Sequence, residues 1–403
     1  MLTNIHPERE IKVDLLQLVA VLGLMSLSVA FVYSAKFAAE SAASLPWYHQ
    51  LFFKQILWFV VGTGAAAAVC LTDYHTLARW SFVVYWISIL TLIAVLVHSI
   101  GSTHGGARRW IDLPGFQFQP SEFAKLAFIL AQAHFLSRPA EELRQPNVFW
   151  KSIGMLLLPF MLILKEPDLG SALVLVPSGL MMMYAAGTPK EYLYMLGCGA
   201  LLVGALLLVD VFFAPPGWWQ IKLETYQRDR LLSYFGMNFA RKNASPEERT
   251  QAMHDQTEKS YQARQALISV GSGGFTGKGW CRADQIKLGF LPRGAAHTDF
   301  IFSVIAEEEG FIGSVTVLTL YCVVLFTGIR TAGQARDRLG KLLAVGVVTL
   351  IFSHVFINIG MNIRIMPVTG VPLPLLSYGG SSVLGSLIAI GILQNIHIHR
   401  KGY

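Results

Sequence analysis

The sequence contains few charged residues and few cysteines. Charged side chains make up 14% of the 403 residues and hydrophobic ones 53%, whereas a soluble globular domain is typically about 25% charged. The mean hydropathy is +0.49. The 4 cysteines show no spacing typical of a disulfide framework or of a metal site. This composition excludes an ordinary soluble domain and predicts a polytopic membrane protein.

Ten apolar runs are candidates for membrane-spanning helices, each of which needs about 20 mostly apolar residues. They cover residues 13–34, 51–71, 79–99, 121–137, 152–164, 169–186, 191–213, 300–328, 342–362 and 374–396. We therefore predict an all-α polytopic membrane protein with about ten transmembrane helices. Residues 1–403 form a single membrane domain in this prediction, and residues 214–299 form a large extracellular loop between helices 7 and 8.

The distribution of Lys and Arg predicts the orientation in the membrane. An even number of spans places both termini on one side, where the loops carry 13 Lys and Arg, against 6 in the short loops opposite. Because cytoplasmic loops are enriched in cations, we expect both termini to be cytoplasmic. The first apolar run lacks a small-residue cleavage site, so we expect it to be retained as the first helix.

The loop over residues 214–299 is too long to be a simple connection. It carries 12 Lys and Arg against 8 Asp and Glu, a surplus that indicates an anionic ligand or partner outside. Residues 225–235 interleave basic and aromatic side chains, which is typical of a helix lying at the interface. Residues 240–260 are charged and poor in apolar side chains, as in a flexible insertion.

A glycine-rich segment follows, with Lys278 among the glycines at 271, 273, 274, 277 and 279. Backbone N–H groups can approach an oxyanion where no Cβ intervenes. The spacing differs from that of a nucleotide P-loop, which is excluded. Two interpretations stay open: a phosphate cradle that includes Lys278, and a flexible re-entrant turn.

Asp299 lies where this polar segment meets the eighth apolar run. Acids at a membrane boundary are costly, so a functional role is the default interpretation. Arg108, Arg109 and Trp110 form a second outward-facing cluster before the fourth span. Arginine can form bidentate hydrogen bonds with phosphate, and tryptophan often lies at the depth of the lipid headgroups. This cluster predicts either substrate binding or a lipid-headgroup anchor.

The fourth span begins with a pair of opposite charges. Glu122 and Lys125 are three residues apart and can pair on one helical face, and Ser121 is a plausible N-cap. A structural ion pair that ties helices together is the favoured interpretation. Asp168 opens the sixth span at the same membrane face and is a further candidate for this polar network.

Residues 366–382 break the helical pattern before the last span. They contain three prolines, followed by Ser377, Tyr378 and a run of glycine and serine. Non-helical backbone at membrane depth occurs where it is buried in protein or lines a cavity. We expect a cavity here, with close helix packing at small residues as the alternative.

Taken together, these motifs resemble the SEDS family (shape, elongation, division and sporulation) of cell-wall polymerases. The resemblance follows the family's motif order over most of the chain, in QPSEFAKLA, PDLGSAL, YQRDRLLS, QALISVGSGGFTGKGW, HTDFIFSVIAEE and PVTGVPLPLLSYGGSS. The form PVTGVPLP is similar to the RodA, or elongation, branch. The FtsW-like division branch is the alternative. Glu166 stands where the family commonly has glutamine.

The resemblance implies a peptidoglycan glycosyltransferase of the bacterial inner membrane that polymerises lipid II on the outer face. The implied partners are a class B penicillin-binding protein transpeptidase and other elongation-complex membrane proteins, and no nucleic acid. Asp299 matches the family's essential acid. Glu122 and Lys125 match its polar pair, and Arg109 and Trp110 match its site in the first large outer turn.

The chemistry of lipid II is consistent with one prominent acid and several cations. The sugar is α-linked to undecaprenyl pyrophosphate and the polymer is β-1,4-linked, so one inverting displacement suffices. Asp299 is the candidate general base, and cations stabilise the pyrophosphate leaving group. The residues expected to contact substrate are Arg108, Arg109, Trp110, Lys278, His297, Ser377 and Tyr378.

Three questions stay open at the level of sequence. A divalent cation, Mg²⁺ or Mn²⁺, bridging Asp299 and the pyrophosphate is compatible with the chemistry, but no ligand spacing indicates it. A flippase that transports lipid II without making polymer is one rival function. A non-catalytic scaffold of the cell-wall synthesis machinery is another.

Overall fold

The structure is a computed structural model that describes residues 13–39, 50–97, 100–104, 107–114, 116–213, 232, 234–235, 261–292 and 294–400. Helices make up most of this part of the chain. They are α1 (Leu15–Ala39), α2 (Leu51–Leu71), α3 (Tyr74–Arg79), α4 (Ser81–Leu96), α5 (Pro120–Leu136), α6 (Ala140–Leu143), α7 (Pro146–Lys165), α8 (Leu169–Ala186), α9 (Lys190–Phe213), α10 (261–272), α11 (Asp284–Lys287), α12 (Ile301–Gln334), α13 (Arg338–Asn362) and α14 (Gly380–Ile398).

Each predicted span coincides with one of these helices. Eight helices are long and apolar enough to cross a membrane, and α4 and α5, with 16 and 17 residues, occupy the third and fourth predicted spans. The fifth span, predicted over 152–164, is longer in the structure, since α7 begins at Pro146. Proline is preorganised for the first helical turn and lacks the N–H that would be unpaired there. The all-α membrane fold is confirmed.

Two sequence predictions for the outer loop lie outside the described residues. These are the charged insertion at 240–260 and, apart from residues 232, 234 and 235, the interfacial helix at 225–235. The single-domain assignment for 1–403 and the loop boundaries 214–299 stay predictions.

A small antiparallel sheet between α4 and α5 was not predicted. It consists of β1 (Ser102–His104), β2 (Ala107–Leu113) and β3 (Phe116–Phe118) in the order β1-β2-β3. Strands this short have too few residues for a period-2 pattern to be recognised. The basic cluster lies on the central strand, where neighbouring side chains point to opposite faces. The register shifts at this point, since Thr103 pairs with Arg108 and Ser102 with Trp110, so Arg109 is the extra residue of a β-bulge.

The last two long helices form the centre of the bundle. Over the most apolar window of each helix, 72% of the residues of α13 and 78% of those of α14 are buried, against none in α9. Small residues let α14 approach α2 closely: a Cβ added at Gly391 would lie 2.9 Å from Ala66 Cα. Small side chains at helix interfaces are the usual means of packing where lipid competes for apolar surface.

Helix α12 is broken near its start, at Gly310, where φ is 65° and ψ is −151°. The break leaves backbone groups without intrahelical partners. Residues 271–279, the glycine segment, supply those partners: the N–H groups of Lys278 and Gly279 donate to the carbonyls of Glu307 and Glu308 at 3.0 and 2.8 Å. Carbonyls of the same segment accept in return from the N–H groups of Phe311 and Ile312. The broken helix thus keeps its hydrogen bonds, as membrane depth requires.

The glycines of this segment allow it to lie directly on the α12 backbone. A Cβ at Gly277 would lie 2.1 Å from the carbonyl oxygen of Glu308, and one at Gly273 would lie 1.9 Å from that of Ala306. Both sequence interpretations of the segment, phosphate cradle and flexible turn, therefore need correction. The N–H groups of Lys278 and Gly279 bind carbonyl oxygens, and the segment is a packed element of the fold.

Candidate active site

Asp299 is half-buried in the turn that precedes α12. Its backbone N–H donates to Ala295 O at 3.0 Å. Its carbonyl oxygen accepts two hydrogen bonds from α13, from Asn358 Nδ2 at 3.0 Å and from Asn362 Nδ2 at 3.1 Å. Three hydrogen bonds therefore fix the backbone from which the candidate base projects.

The two asparagines are functional candidates that the sequence analysis missed. They lie four residues apart and so share one face of α13. Asn358 also donates to Val371 O at 2.7 Å, and Asn362 Oδ1 accepts from Ser303 Oγ at 2.5 Å. Polar side chains inside a membrane helix usually mark a functional site. Two asparagines four residues apart in an apolar helix are the sequence feature that could have indicated this site.

The final motif lies directly beside Asp299. Ser377 Oγ donates to Thr298 O at 2.5 Å and accepts from Leu373 N at 2.8 Å. Tyr378 N donates to His297 O at 2.9 Å, and the two side-chain rings meet edge to face at 5.6 Å. The structure thus brings three of the predicted substrate contacts to the base.

These three residues differ in their accessibility. Ser377 is only 1% exposed, and its hydroxyl holds the turn that carries Asp299. That arrangement fits positioning better than substrate contact. His297 and Tyr378 are half-buried and keep polar atoms near the surface of the site. Burial raises the pKa of the Tyr378 phenol, which therefore stays a hydrogen-bond donor at neutral pH.

The loop over residues 366–378 separates Asp299 from the start of α8. Gly370 has a φ of 74°, and a Cβ placed there would lie 3.5 Å from Asp299 Oδ2. On the other side, a Cβ at Gly170 would lie 2.9 Å from Thr369 O. The carboxylate of Asp299 and the α7–α8 turn therefore flank the same loop.

Arg109 joins the sheet to that turn. Its Nε donates to Glu166 O at 3.2 Å, its Nη2 donates to Pro167 O, and its Nη1 lies 3.9 Å from Asp168 Oδ1. Asp168 is the N-cap of α8 and accepts from Ser171 N. Arg109 thus reaches the same end of the bundle as Asp299, with part of its guanidinium committed to the turn.

The two neighbours of Arg109 are placed less close to the centre of the site. Arg108 Nη1 makes a long contact of 3.5 Å with Leu96 O. The Trp110 carbonyl accepts from Ser102 Oγ at 3.1 Å, and its side chain is half-buried. Both residues lie at the rim formed by the sheet, and their substrate-binding roles stay predictions.

Glu166 is an unusual buried acid beside this contact. Its side chain is fully buried, and neither carboxyl oxygen has a hydrogen-bond partner among the described residues. Burial raises its pKa to about 9, the nearby Asp168 adds to the shift, and Arg109 opposes it. Glu166 is therefore protonated at neutral pH.

The Glu122–Lys125 pair is present as the sequence predicts. Lys125 Nζ donates to Glu122 Oε1 at 2.7 Å, and the two side chains are 1% and 5% exposed. Lys125 also lies 2.9 Å from His354 Nε2, and His354 Nδ1 lies 3.2 Å from Pro372 O. Because lysine only donates, His354 Nε2 must accept, and Nδ1 carries the proton of a neutral ring. The pair thus reaches the 366–378 loop through a histidine that sequence analysis missed.

One detail of the predicted polar network needs correction, and a second residue of it, Asp168, lies at its edge. Ser121 is not the N-cap of α5: Gln119 holds that position, without a side-chain bond, and Pro120 is the first helical residue. Asp168 contacts Ser171, Gln119 and Arg109. It caps α8 at the α7–α8 turn, and its membership of the network around Glu122 and Lys125 stays a prediction.

Lys278 is bound to two carboxylates. Its Nζ lies 2.7 Å from Glu307 Oε1 and 3.2 Å from Asp284 Oδ2. Burial alone lowers the pKa of Lys278, but the hydrogen bonds to these two acids outweigh it, and the pKa is raised. Glu307 accepts in addition from Ser269 Oγ and Gln285 N. The Lys278 charge is thus balanced locally, which weakens the prediction that it binds substrate.

The described residues contain no group of three or more His, Cys, Asp or Glu side chains that could hold a metal ion. A Mg²⁺ ion usually takes one or two carboxylates and completes its shell with substrate phosphates and water. An ion at Asp299 would therefore depend on the substrate for much of its coordination.

The chain is similar to a well-defined set of proteins. A family model for FtsW, RodA and SpoVE, described as cell cycle protein, matches residues 14–402. The probable peptidoglycan glycosyltransferase FtsW of Trichlorobacter lovleyi is 34% identical over 393 residues, which cover 97% of this chain and 94% of that protein. The peptidoglycan glycosyltransferase MrdB of Escherichia coli K12 is 36% identical over 324 residues, 80% of this chain and 79% of that protein.

A solved structure shows the same fold. It is a chain from a peptidoglycan synthase complex that coordinates polymerization and crosslinking. It superposes with a TM-score of 0.73 at 26% identity and covers 98% of this chain and 100% of that chain.

Proposed function

Because the chain belongs to the SEDS family of FtsW, RodA and SpoVE proteins, we propose that it polymerises lipid II into β-1,4-linked glycan strands, with Asp299 as the general base. It is a membrane protein and a peptidoglycan glycosyltransferase. The assignment of the base rests on how Asp299 is held. Asn358 and Asn362 donate to its backbone carbonyl, and Gly370 lies beside its carboxylate.

The proposed reaction is one inverting displacement. The acceptor 4-hydroxyl oxygen attacks the anomeric carbon of the donor, the bond to the pyrophosphate oxygen breaks, and Asp299 takes the hydroxyl proton. Pyrophosphate leaves without needing a protonating acid, and one carboxylate is enough. A positioned general base contributes typically about 10²- to 10⁴-fold to the rate.

Arg109 is the best-supported group for the leaving pyrophosphate. It is anchored at the α7–α8 turn, 13% exposed, and flanks the loop that carries Gly370. A guanidinium held by carbonyl oxygens is already oriented and loses little entropy when it meets a phosphate oxygen. Arg108 and Trp110 at the sheet rim would contact the more exposed part of the substrate.

We assign the chain to the elongation branch. The MrdB relative at 36% identity and the PVTGVPLP motif support this assignment, and the FtsW relative at 34% identity supports the division branch as the alternative. The distinguishing test is complementation. We expect expression of this chain to restore rod shape to cells depleted of MrdB and to leave FtsW-depleted cells filamentous; the reverse result would transfer it to the division branch.

The membrane topology follows from the same proposal. Both termini would lie in the cytoplasm of a bacterial inner-membrane protein and Asp299 at the outer face, as the excess of cations in the opposite loops favours. A class B penicillin-binding protein would then crosslink the product. The similarity to a chain of a complex that coordinates polymerization and crosslinking supports this partner.

The central experiment is a polymerisation assay with purified full-length protein and lipid II, with and without the transpeptidase. Asp299→Asn keeps the shape of the side chain and removes the base, so we expect polymer formation to fall by about 10²-fold or more. Asp112→Asn, an exposed acid on β2, is the matched control and should retain activity. Polymer from the Asp299→Asn variant at the control rate would exclude Asp299 as the base, and lipid II translocation without polymer from the wild type would favour a flippase.

A further inference from the structure

A polar cavity lies at the opposite end of the bundle from Asp299. Its volume is ≈ 480 Å³, and its polar lining consists of His75, Arg79, His134, Ser137, Asp337 and Arg338. Helix α13 shows the separation directly, since it begins at Arg338 in this cavity and ends at Asn362, which binds Asp299. At about 1.5 Å per residue, its 25 residues span about 37 Å. The cavity is therefore separate from the candidate active site.

Among the described residues of the lining, Asp337 supplies the one carboxylate, and it already makes three contacts. Asp337 accepts from Tyr74 Oη at 2.9 Å and from Gly340 N at 2.9 Å, and it pairs with His75 Nε2 at 2.8 Å. The other ring nitrogen of His75 lies 2.9 Å from Asp73 Oδ1. Since carboxylates only accept, both nitrogens of His75 must donate, and the ring is an imidazolium. One imidazolium is shared by the carboxylates of Asp337 and Asp73, so these three groups together carry one negative charge.

Two arginines of the lining, Arg79 and Arg338, outweigh that single negative charge. Arg79 is exposed at the end of α3 and has no ion pair or hydrogen bond within the described part of the chain. Arg338 is anchored by donation from Nη2 to Ala186 O at the end of α8. His134 adds a third polar group from the last turn of α5. The cavity thus has a surplus of positive charge and of donors.

The surroundings of the cavity indicate a lipid rather than a soluble ligand. His134 meets Phe82 edge to face at 5.7 Å, so the polar wall continues into the apolar surface of α4. Phe82 and Trp80 are 37% and 59% exposed there. Tryptophan at a helix end is typical of the membrane interface, and basic pockets between transmembrane helices bind anionic headgroups.

We propose that this cavity binds the phosphate group of an anionic phospholipid, with Arg79 and Arg338 as the phosphate ligands and the acyl chains along α4. Arginine suits this role because its planar donors match phosphate oxygens in pairs. The site would hold one lipid at the ends of α3, α5, α8 and α13, and it does not depend on the glycosyltransferase assignment.

The test measures lipid binding by the full-length protein in detergent, by native mass spectrometry and by thermal shift. The probes are phosphatidylglycerol, phosphatidylcholine and inorganic phosphate. We expect the wild type to retain one phosphatidylglycerol and to be stabilised by it, with a smaller effect of phosphatidylcholine. Arg79→Gln should weaken phosphatidylglycerol binding about five- to tenfold. Arg79→Lys should restore part of it, because charge without the paired donors remains.

The matched control is Arg144→Gln, an exposed arginine at the C-cap of α6 outside the cavity, which should bind phosphatidylglycerol as the wild type does. Equal losses in the two variants would show only general surface attraction and would overturn the proposal. So would equal binding of the two lipids. If inorganic phosphate alone raises the unfolding temperature of the wild type but not that of Arg79→Gln, the ligand is a soluble anion. If Arg79→Gln is not recovered folded, His134→Gln provides the same comparison.

Discussion

Asn362 donates a hydrogen bond from its side-chain amide to the backbone carbonyl oxygen of Asp299, at 3.1 Å. The two residues are 63 positions apart in the chain, and the bond joins the end of α13 to the turn before α12. A general base acts only within hydrogen-bond reach of its proton, so its backbone support is part of the catalytic geometry. Loss of this support is the first test of the site.

We expect Asn362→Ala to lower the polymerisation rate about tenfold or more, with a smaller effect on apparent lipid II affinity. The carbonyl of Asp299 keeps one of its two amide donors, and Ser303 Oγ keeps only its longer bond, to Ala266 O at 3.2 Å. A misplacement of about 1 Å can cost about 10²-fold in rate. Steady-state kinetics of the purified variant with lipid II provides the measurement.

Asn395→Ala is the matched control for Asn362→Ala. Asn395 Nδ2 also donates to backbone carbonyls, those of Val69 at 2.6 Å and of Thr72, but at the other end of the bundle. Its loss should destabilise the protein to a similar degree while the folded fraction keeps its rate. If both variants lose rate in proportion to stability, Asn362 has no specific role in positioning Asp299.

Lys125→Met should destabilise the protein by about 3–5 kcal/mol, because it leaves the Glu122 carboxylate buried without its partner. The double variant Glu122→Gln with Lys125→Met removes both charges and should recover much of that loss. Thermal unfolding of the two single variants and the double variant gives the coupling free energy. Additive losses would argue against direct coupling of the pair.

Glu166→Gln should stabilise the protein at pH 8 and flatten its dependence on pH. The pKa of Glu166 is raised from 4.5 to about 9 in the folded state, so between these values the folded state holds a proton that the unfolded state has lost. Folding stability therefore falls as pH rises through this range, by at most about 1.4 kcal/mol per unit. The penalty is absent below pH 4.5 and complete above pH 9.

The measurement is the unfolding temperature of wild type and Glu166→Gln from pH 5 to pH 9. Glu141→Gln, an exposed acid on α6, serves as the control and should follow the wild type. A constant difference between Glu166→Gln and wild type over this range would show that Glu166 does not take up a proton on folding.

Gly277→Ala should destabilise the protein and reduce polymerisation. Gly277 has a φ of 77°, which alone costs an alanine about 1–2 kcal/mol, and the added Cβ would clash with the Glu308 carbonyl at 2.1 Å. The glycine segment would then move away from the α12 backbone, and the hydrogen bonds that it makes around Gly310 would be lost. Gly271→Ala is the control on the same segment, because a Cβ there meets nothing within 4 Å. Equal unfolding temperatures for the two variants would contradict a packing role for Gly277.

Several features of the fold and the site were predictable from sequence because their causes are local. A membrane span is recognised from the hydrophobicity of its own residues, so all ten spans could be predicted. The starts of α5 and α7 were misplaced. The Glu122–Lys125 pair follows from helical spacing alone. Asp299 stood out as an acid at a membrane boundary. The strands of the small sheet are too short for an alternation of apolar and polar residues to be detected.

Other features depend on contacts between distant parts of the chain. The sequence left a phosphate cradle and a flexible turn open for the glycine segment, but carbonyl oxygens at the break near Gly310 accept from the N–H groups of Lys278 and Gly279. Likewise, the sequence indicated Arg109 as a substrate contact, but only the structure shows that carbonyl oxygens of the turn at 166–168 hold its guanidinium in place. Local sequence contains the donors but not the identity of their acceptors.

The sequence by itself determined the helical membrane architecture, the family and the candidate base, because hydrophobicity, helical spacing and motif order are properties of single segments. The tertiary structure decided what supports Asp299, since only the packing of α12 against α13 brings Asn358 and Asn362 to its carbonyl. It also decided that the Glu166 carboxyl is buried without a hydrogen-bond partner in the described part of the chain, and that Arg79 and Arg338 share a cavity. Hydrogen bonds and burial at these sites arise from segments far apart in the chain, so they exist only once the helices have packed.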